Sequence, residues 1–179
     1  SRLTSAVVVF LMLVFGAALG RRVDVLLPPG PPAVPLTVLP AWTLAVSLGV
    51  ITLALAVLFR APLRDCGWIL LAGALAYGGS RLGAVLFGPE LGAFLGALML
   101  GAGSNLVARY FDRPSMVMLI PGIMLLVPGA LGFRSLESLM RQDVLTGVET
   151  AFSMALVAVA LGVGLLMANN LVPPRRAEL

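Results

Sequence analysis

Six predominantly apolar runs divide this chain, at 3–19, 40–59, 67–87, 91–108, 115–132 and 146–171. About 20 such residues cross the hydrocarbon of a bilayer as a helix. Within hydrocarbon every backbone N–H and C=O has to find its partner inside the protein, which leaves the helix as the structure for runs of this kind. A mean hydropathy of +1.06 and a 60% hydrophobic composition lie far above those of a water-soluble domain. The sequence therefore predicts an all-α integral membrane protein, a polytopic helix bundle.

The fifth run is at odds with its own helix. Residues 115–132 read SMVMLIPGIMLLVPGALG, with Pro121-Gly122 and Pro128-Gly129 seven residues apart. Proline removes a backbone donor and crowds the preceding turn, and glycine loosens the backbone. The reading is a Pro/Gly-broken fifth span. Such a span survives only against protein or a watery cavity, and it is the best sequence pointer to a transport site. If 123–127 stays helical, both breaks lie on nearly one face, nearly two turns apart. Their open amides and carbonyls would then line a common path. The competing reading is a kinked packing helix whose neighbours satisfy the freed groups.

Composition removes whole classes of chemistry. The chain has no histidine, one cysteine (Cys66) and 12 basic residues, every one an arginine. Histidine-based acid/base catalysis, the common zinc sites and a disulfide framework are therefore not expected, nor is a cofactor. No enzyme is read here. A pI near 10.6 does not indicate nucleic-acid binding, because the arginines stand in short loops where they orient the protein. Arg2, Arg60, Arg64, Arg109, Arg113, Arg175 and Arg176 collect on one side. Arg21, Arg22, Arg134 and Arg141 fall on the other, mixed with Asp24, Glu90, Glu137 and Asp143. This asymmetry puts both termini in the cytoplasm and turns the segment 132–143 outward.

Prolines at 28, 29, 31, 32, 35 and 40 mark an extended connector after the first run. The chain then divides into one helix (1–20), a Pro-rich linker (21–39), a five-helix domain (40–172) and a short cytoplasmic tail (173–179). Ala18-Leu19-Gly20 has the small residues of a signal-cleavage site, but the run before it is long for a signal. The better reading is a chain that starts partway through a longer protein or has been processed. Gly79 with Gly83, and Gly92 with Gly96, have the GxxxG spacing that lets membrane helices approach closely, so the third and fourth spans should form the tight centre.

Polar residues at membrane depth are the remaining candidates. Arg81 either snorkels to headgroups or lines a cavity, and Glu149 either caps the last span or carries a proton. On the arginine topology the two share one third of the membrane, so an Arg81–Glu149 pair is expected. Asn105 hydrogen-bonds another helix or contacts substrate. Trp42 and Trp68, at span starts, suit interfacial anchoring.

These same residues carry a resemblance. From Leu58-Phe59-Arg60-Ala61-Pro62, through Gly79-Ser80-Arg81, Phe94-Leu95-Gly96-Ala97-Leu98 and Ser104-Asn105, to Pro121-Gly122-Ile123 and Val127-Pro128-Gly129, the chain resembles the C-terminal membrane domain of the threonine/serine exporter family. Gly132-Phe133-Arg134-Ser135-Leu136, Gly147-Val148-Glu149-Thr150-Ala151-Phe152 and Pro173-Pro174-Arg175-Arg176 extend it. The resemblance implies gradient-driven export of small hydrophilic metabolites, chiefly threonine and serine, across a bacterial cytoplasmic (inner) membrane. It also implies an N-terminal five-span domain as partner, in the same longer chain or as a separate subunit, with the run 3–19 as that domain's last span. Assembly as a homo-oligomer is expected. The substrate contacts on this reading are Pro121, Gly122, Pro128, Gly129, Arg81, Asn105 and Arg134, with Glu149 for proton coupling. The alternatives are a subunit of a dicarboxylate exporter, or a non-transporting membrane subunit that stabilises a partner. The absence of a GxxxxGK[ST] phosphate loop argues against nucleotide as the energy source.

Overall fold

The computed structural model describes residues 2–26, 40–111, 113–127, 129–140 and 143–173. It is helical throughout, with no strand among the described residues. In order these are α1 (Arg2–Leu26), α2 (Ala41–Leu58), α3 (Cys66–Phe87), α4 (Pro89–Tyr110), α5 (Met116–Leu126), α6 (Gly129–Met140) and α7 (Val144–Leu171), with a 3-10 turn at Leu63–Asp65. Four stretches are long and apolar enough to cross a membrane: Leu63–Phe87, Pro89–Tyr110, Met116–Leu139 and Val144–Leu171. The first two predicted spans hold shorter apolar helices, Val7–Ala17 and Trp42–Leu58. The chain is a multi-pass membrane protein of all-α class. Of the predicted linker 21–39, residues 21–26 continue α1 instead; residues 27–39, Pro128, and the basic tail with Arg175 and Arg176 lie outside the described residues, as do the side chains of Arg2, Arg21 and Arg22 and the whole of Arg141.

By contacts the chain forms two units, 39–128 with 155–179, and 1–38 with 129–154. The larger one is built on α3 and α4. Gly88, at φ +96°, closes α3 through its N–H to the Ala84 carbonyl (3.1 Å), and Pro89 opens α4. The two helices then run back along each other with glycine facing glycine. A Cβ on Gly83 would stand 2.9 Å from the Gly92 Cα, and one on Gly79 would stand 3.0 Å from the Gly96 Cα. One on Gly92 would meet the Ser80 carbonyl oxygen at 2.7 Å. This is backbone-to-backbone contact, as the paired spacings predict.

Other elements seat on this pair by the same device. Thr52 of α2 turns its methyl into the space over Gly73 of α3, while its hydroxyl donates back to the Leu48 carbonyl of its own helix. The second half of α7 meets α4 where Gly164 lies against the Phe94 carbonyl and Ala97, and where Gly101 lies against Ala168. Ala72, Ala76, Leu100, Val107 and Met118 form the core of α3, α4 and α5, with Trp68 and Leu126 packed against it. Trp68, expected as an interfacial anchor, meets Phe111 with ring centroids 4.7 Å apart and planes tilted by 53°. Trp42 is exposed.

The fifth element departs from the sequence reading in one half and follows it in the other. Pro121-Gly122 does not break its helix, because α5 continues through it to Leu126. Pro121 forfeits only the bond to the Val117 carbonyl, and Gly122 fits under Leu100, whose Cδ2 would be 2.6 Å from an added Cβ. The α4 surface therefore holds the helix together where local propensity would open it. The interruption falls at Val127, which is extended (φ −60°, ψ 126°). A residue preceding proline is driven out of the α region by the proline ring, and Val127 precedes Pro128. With Val127 non-helical, the two Pro-Gly pairs do not share one continuous helix face. At 11 residues α5 spans ~16 Å, about half the hydrocarbon thickness. The segment 132–143, read as an outward loop, is helical as far as Met140.

In the smaller unit α6 packs beside α1 and α7. Gly132 lies against Met154 and Phe10, and Gly147 against Leu139. The buried Ser135 hydroxyl donates to the Gly147 carbonyl at 2.7 Å.

The glycine contact gives a direct test. Gly92→Val sets a Cβ against fixed backbone and should destabilise the protein by about 1–3 kcal/mol. Gly78→Ala, on the same helix pair but with nothing within 4 Å, should raise stability by roughly 0.5–1 kcal/mol. Thermal unfolding in detergent reads both.

Candidate functional site

Two cavities lie within single units, and each contains one residue singled out by the sequence. The first belongs to the larger unit, has a volume of about 320 Å³, and opens between the end of α2, the start of α3 and the first turns of α5. Its walls are mostly apolar, including Ile69, Ile120 and Pro121, and its charged members are Arg60 and Asp65.

Arg60 reaches that position through the way α2 ends. The Arg60 N–H donates to the Val57 carbonyl (3.0 Å) and the Ala61 N–H to the Ala56 carbonyl (2.9 Å), the paired bonds of a Schellman motif. The motif requires a left-handed residue, usually glycine. Here it is Arg60, at φ 51°, the only non-glycine residue with positive φ among the described residues. A Cβ in this region costs about 1–2 kcal/mol. Arg60 thereby puts a cation in the lining of the cavity.

Asp65 stands where a helix N-cap would stand, just before Cys66, yet its carboxylate makes no cap bond. It accepts instead from Arg113 Nη1 at 3.1 Å. Asp65 is buried, with 7% of its side chain exposed against 31% for Arg113. The pair joins the α2–α3 joint to the α4–α5 joint, so both lie at one end of the unit. Arg81 is exposed and lies toward the other end of α3, roughly 24 Å from Asp65 along the helix axis.

The second cavity belongs to the smaller unit. It has a volume of about 460 Å³ and is lined by Arg134, Glu137, Ser138, Asp143, Thr146 and Thr150, all of them polar or charged. Helical spacing accounts for the set. Arg134, Glu137 and Ser138 stand at i, i+3 and i+4 on α6, and Thr146 and Thr150 at i and i+4 on α7. Asp143 caps α7, accepting from the Thr146 N–H at 3.2 Å, and the Thr150 hydroxyl donates to the Thr146 carbonyl at 2.7 Å. Capping therefore falls to Asp143. Glu149 is exposed on α7, beyond the first turn and outside the lining of this cavity.

The other sequence candidates have separate surroundings. Asn105 is 3% exposed, and its Nδ2 donates to both Asn169 Oδ1 (2.9 Å) and the Val172 carbonyl (2.8 Å), fastening the end of α7 to α4. Gly122 packs on Leu100, while Gly129 is exposed at the start of α6 with nothing within 4 Å. Asp65 and its bond to Arg113 went unread in the sequence. Their one local signal is an acid inside the arginine-rich joint at Arg64-Asp65-Cys66. No cluster of metal-binding side chains occurs among the described residues.

Two substitutions test this geometry. Arg60→Gly should relieve the left-handed strain and stabilise the fold by about 1 kcal/mol, read as a raised melting temperature. Asn105→Ala leaves two acceptors without a donor and should cost about 1–3 kcal/mol, with faster amide hydrogen exchange over 168–172 as its local signature.

No curated protein and no solved structure matches the chain. A family model does, that of the threonine/serine exporter, ThrE, over residues 44–171. The match runs from the fourth residue of α2 to the end of α7 and takes in both cavities. It covers well over half of the sequence, and with it the helices and joints that build the two cavities. The chain belongs to the threonine/serine exporter family.

Proposed function

We propose that this chain is the C-terminal half of a gradient-driven exporter of small hydrophilic metabolites, threonine and serine foremost, in a bacterial cytoplasmic membrane with both termini inside. The observation that carries the reading is the cavity between α6 and α7, in a chain of an exporter family. It offers Arg134 to a carboxylate, Asp143 to an ammonium, and Ser138, Thr146 and Thr150 to a hydroxyl. An amino acid with a short hydroxylated side chain presents that set of groups.

On this reading Arg134 anchors the substrate carboxylate. The interruption at Val127 supplies the irregular backbone that a transport path uses, with Gly129 beyond it. Glu149 carries the coupling proton. A five-span N-terminal domain, in the same longer chain or as a separate subunit, provides the other wall of the path. The working unit is a homo-oligomer.

Efflux of labelled threonine from loaded vesicles tests the assignment, with the chain supplied alone and together with an N-terminal partner domain. Arg134→Gln removes a charge-assisted bond and should lower efflux by about 10- to 100-fold. Glu149→Gln should abolish the response to a proton gradient while leaving threonine–threonine exchange intact. Unaltered gradient-driven efflux from both variants would remove these roles.

A further inference from the structure

The cavity beside Asp65 has no part in that function as stated, yet it opens on the buried carboxylate of the Asp65–Arg113 ion pair. We propose that it is a second substrate subsite, at the arginine-rich end of the larger unit, which takes a zwitterionic amino acid by exchanging the Asp65–Arg113 pair for two pairs with the substrate. The inference rests on the exporter reading for the identity of the ligand, and on the geometry of this cavity for the site.

Asp65 lines the cavity, and a single contact, Nη1 to Oδ1 at 3.1 Å, holds it to Arg113. A carboxylate with 7% of its side chain exposed cannot lose its cation without a substitute, because an unpaired buried charge is strongly unfavourable. An α-amino acid brings such a substitute and its complement on one carbon. Its ammonium faces Asp65, and its carboxylate faces Arg113 or the strained Arg60. Charge stays balanced throughout the exchange. A free cation or a free anion satisfies one member of the pair and strands the other, so the site selects for both groups together.

Pro121 adds a further acceptor. Proline has no N–H, so the Val117 carbonyl loses its helical partner four residues on, and Val117 and Pro121 both line the cavity. That carbonyl and the Asp65 carboxylate form an acceptor set for an ammonium. The apolar walls at Ile69 and Ile120 keep the local dielectric low and strengthen each ionic contact. A solely structural pair, tying two joints together, would account for the Asp65–Arg113 bond but not for a cavity that opens on it.

The test uses the whole chain in lipid nanodiscs, with its single cysteine replaced (Cys66→Ser) and Ala61→Cys on the cavity wall as reporter. L-threonine should slow maleimide labelling of the reporter several-fold and saturably. Threonine methyl ester, a cation, and N-acetylthreonine, an anion, should not do so at the same concentration. Asp65→Asn and Arg113→Gln should each abolish protection. The exchanged pair, Asp65→Arg with Arg113→Asp, should recover part of it, which separates loss of the site from loss of the fold. Equal protection by the ester, protection surviving in Asp65→Asn, or none by threonine in the parent overturns the proposal. Parallel efflux separates the two readings. Threonine efflux without protection removes this site and leaves the exporter reading standing, whereas protection without efflux in the presence of the partner domain does the reverse.

Discussion

Two helices in lipid gain little by hiding apolar side chains from one another, because the surrounding acyl chains are equally apolar. What binds them is close contact, and in this protein the contact that the larger unit depends on is the one between α3 and α4. Gly79 and Gly83 meet Gly96 and Gly92 with no side chain between the backbones. The turn at Gly88-Pro89 sets the antiparallel register that puts these glycines opposite each other. Thr52 then fits over Gly73, Leu100 over Gly122, and α7 into Gly101 and Gly164. Each neighbouring helix is admitted by the absence of a side chain, so a narrow, close-packed centre leaves this unit's cavity to its joints.

Proline has opposite consequences at two places in the fifth element. At Pro121 the lost backbone bond is one among several, and burial against α4 keeps the helix intact. Before Pro128 the clash acts on Val127 itself, which leaves the α region and ends α5. One proline therefore removes a backbone donor from an intact helix, beside a cavity. The other divides the element in two and starts an amphipathic helix whose polar face, with α7, encloses the hydroxyl-rich cavity. The two cavities differ accordingly: one is mostly apolar around the buried Asp65 carboxylate, and the other is lined by polar and charged residues.

Legibility followed the range of the interaction. The helical class, the third and fourth spans as a tight pair, and a break in the fifth span could be read because apolar run length, GxxxG spacing and Pro-Gly pairs act within a few residues of where they are written. Helix α6 was missed because Arg134, Glu137 and Ser138 lower its apolarity below that of a span, and their shared face becomes visible only beside α7. Asp65 was missed because its position just before a helix favours a capping role. Its partner Arg113 lies 48 residues away, across a joint that no local pattern specifies. Asn105 was read with two open roles, and both of its amide hydrogens prove to be committed to the end of α7.

The sequence alone determined that this protein is a bundle of membrane helices with a faulted fifth element and an arginine-rich end, since these follow from composition and local stereochemistry. The motifs carried by those helices also marked the exporter family. Only the tertiary structure decided which proline breaks its helix, which arginine holds a buried carboxylate, and which polar residues share a cavity. Those outcomes depend on what a residue meets from a distant part of the chain. A leucine over Gly122, or an aspartate facing Arg113, outweighs a local preference of about a kilocalorie per mole.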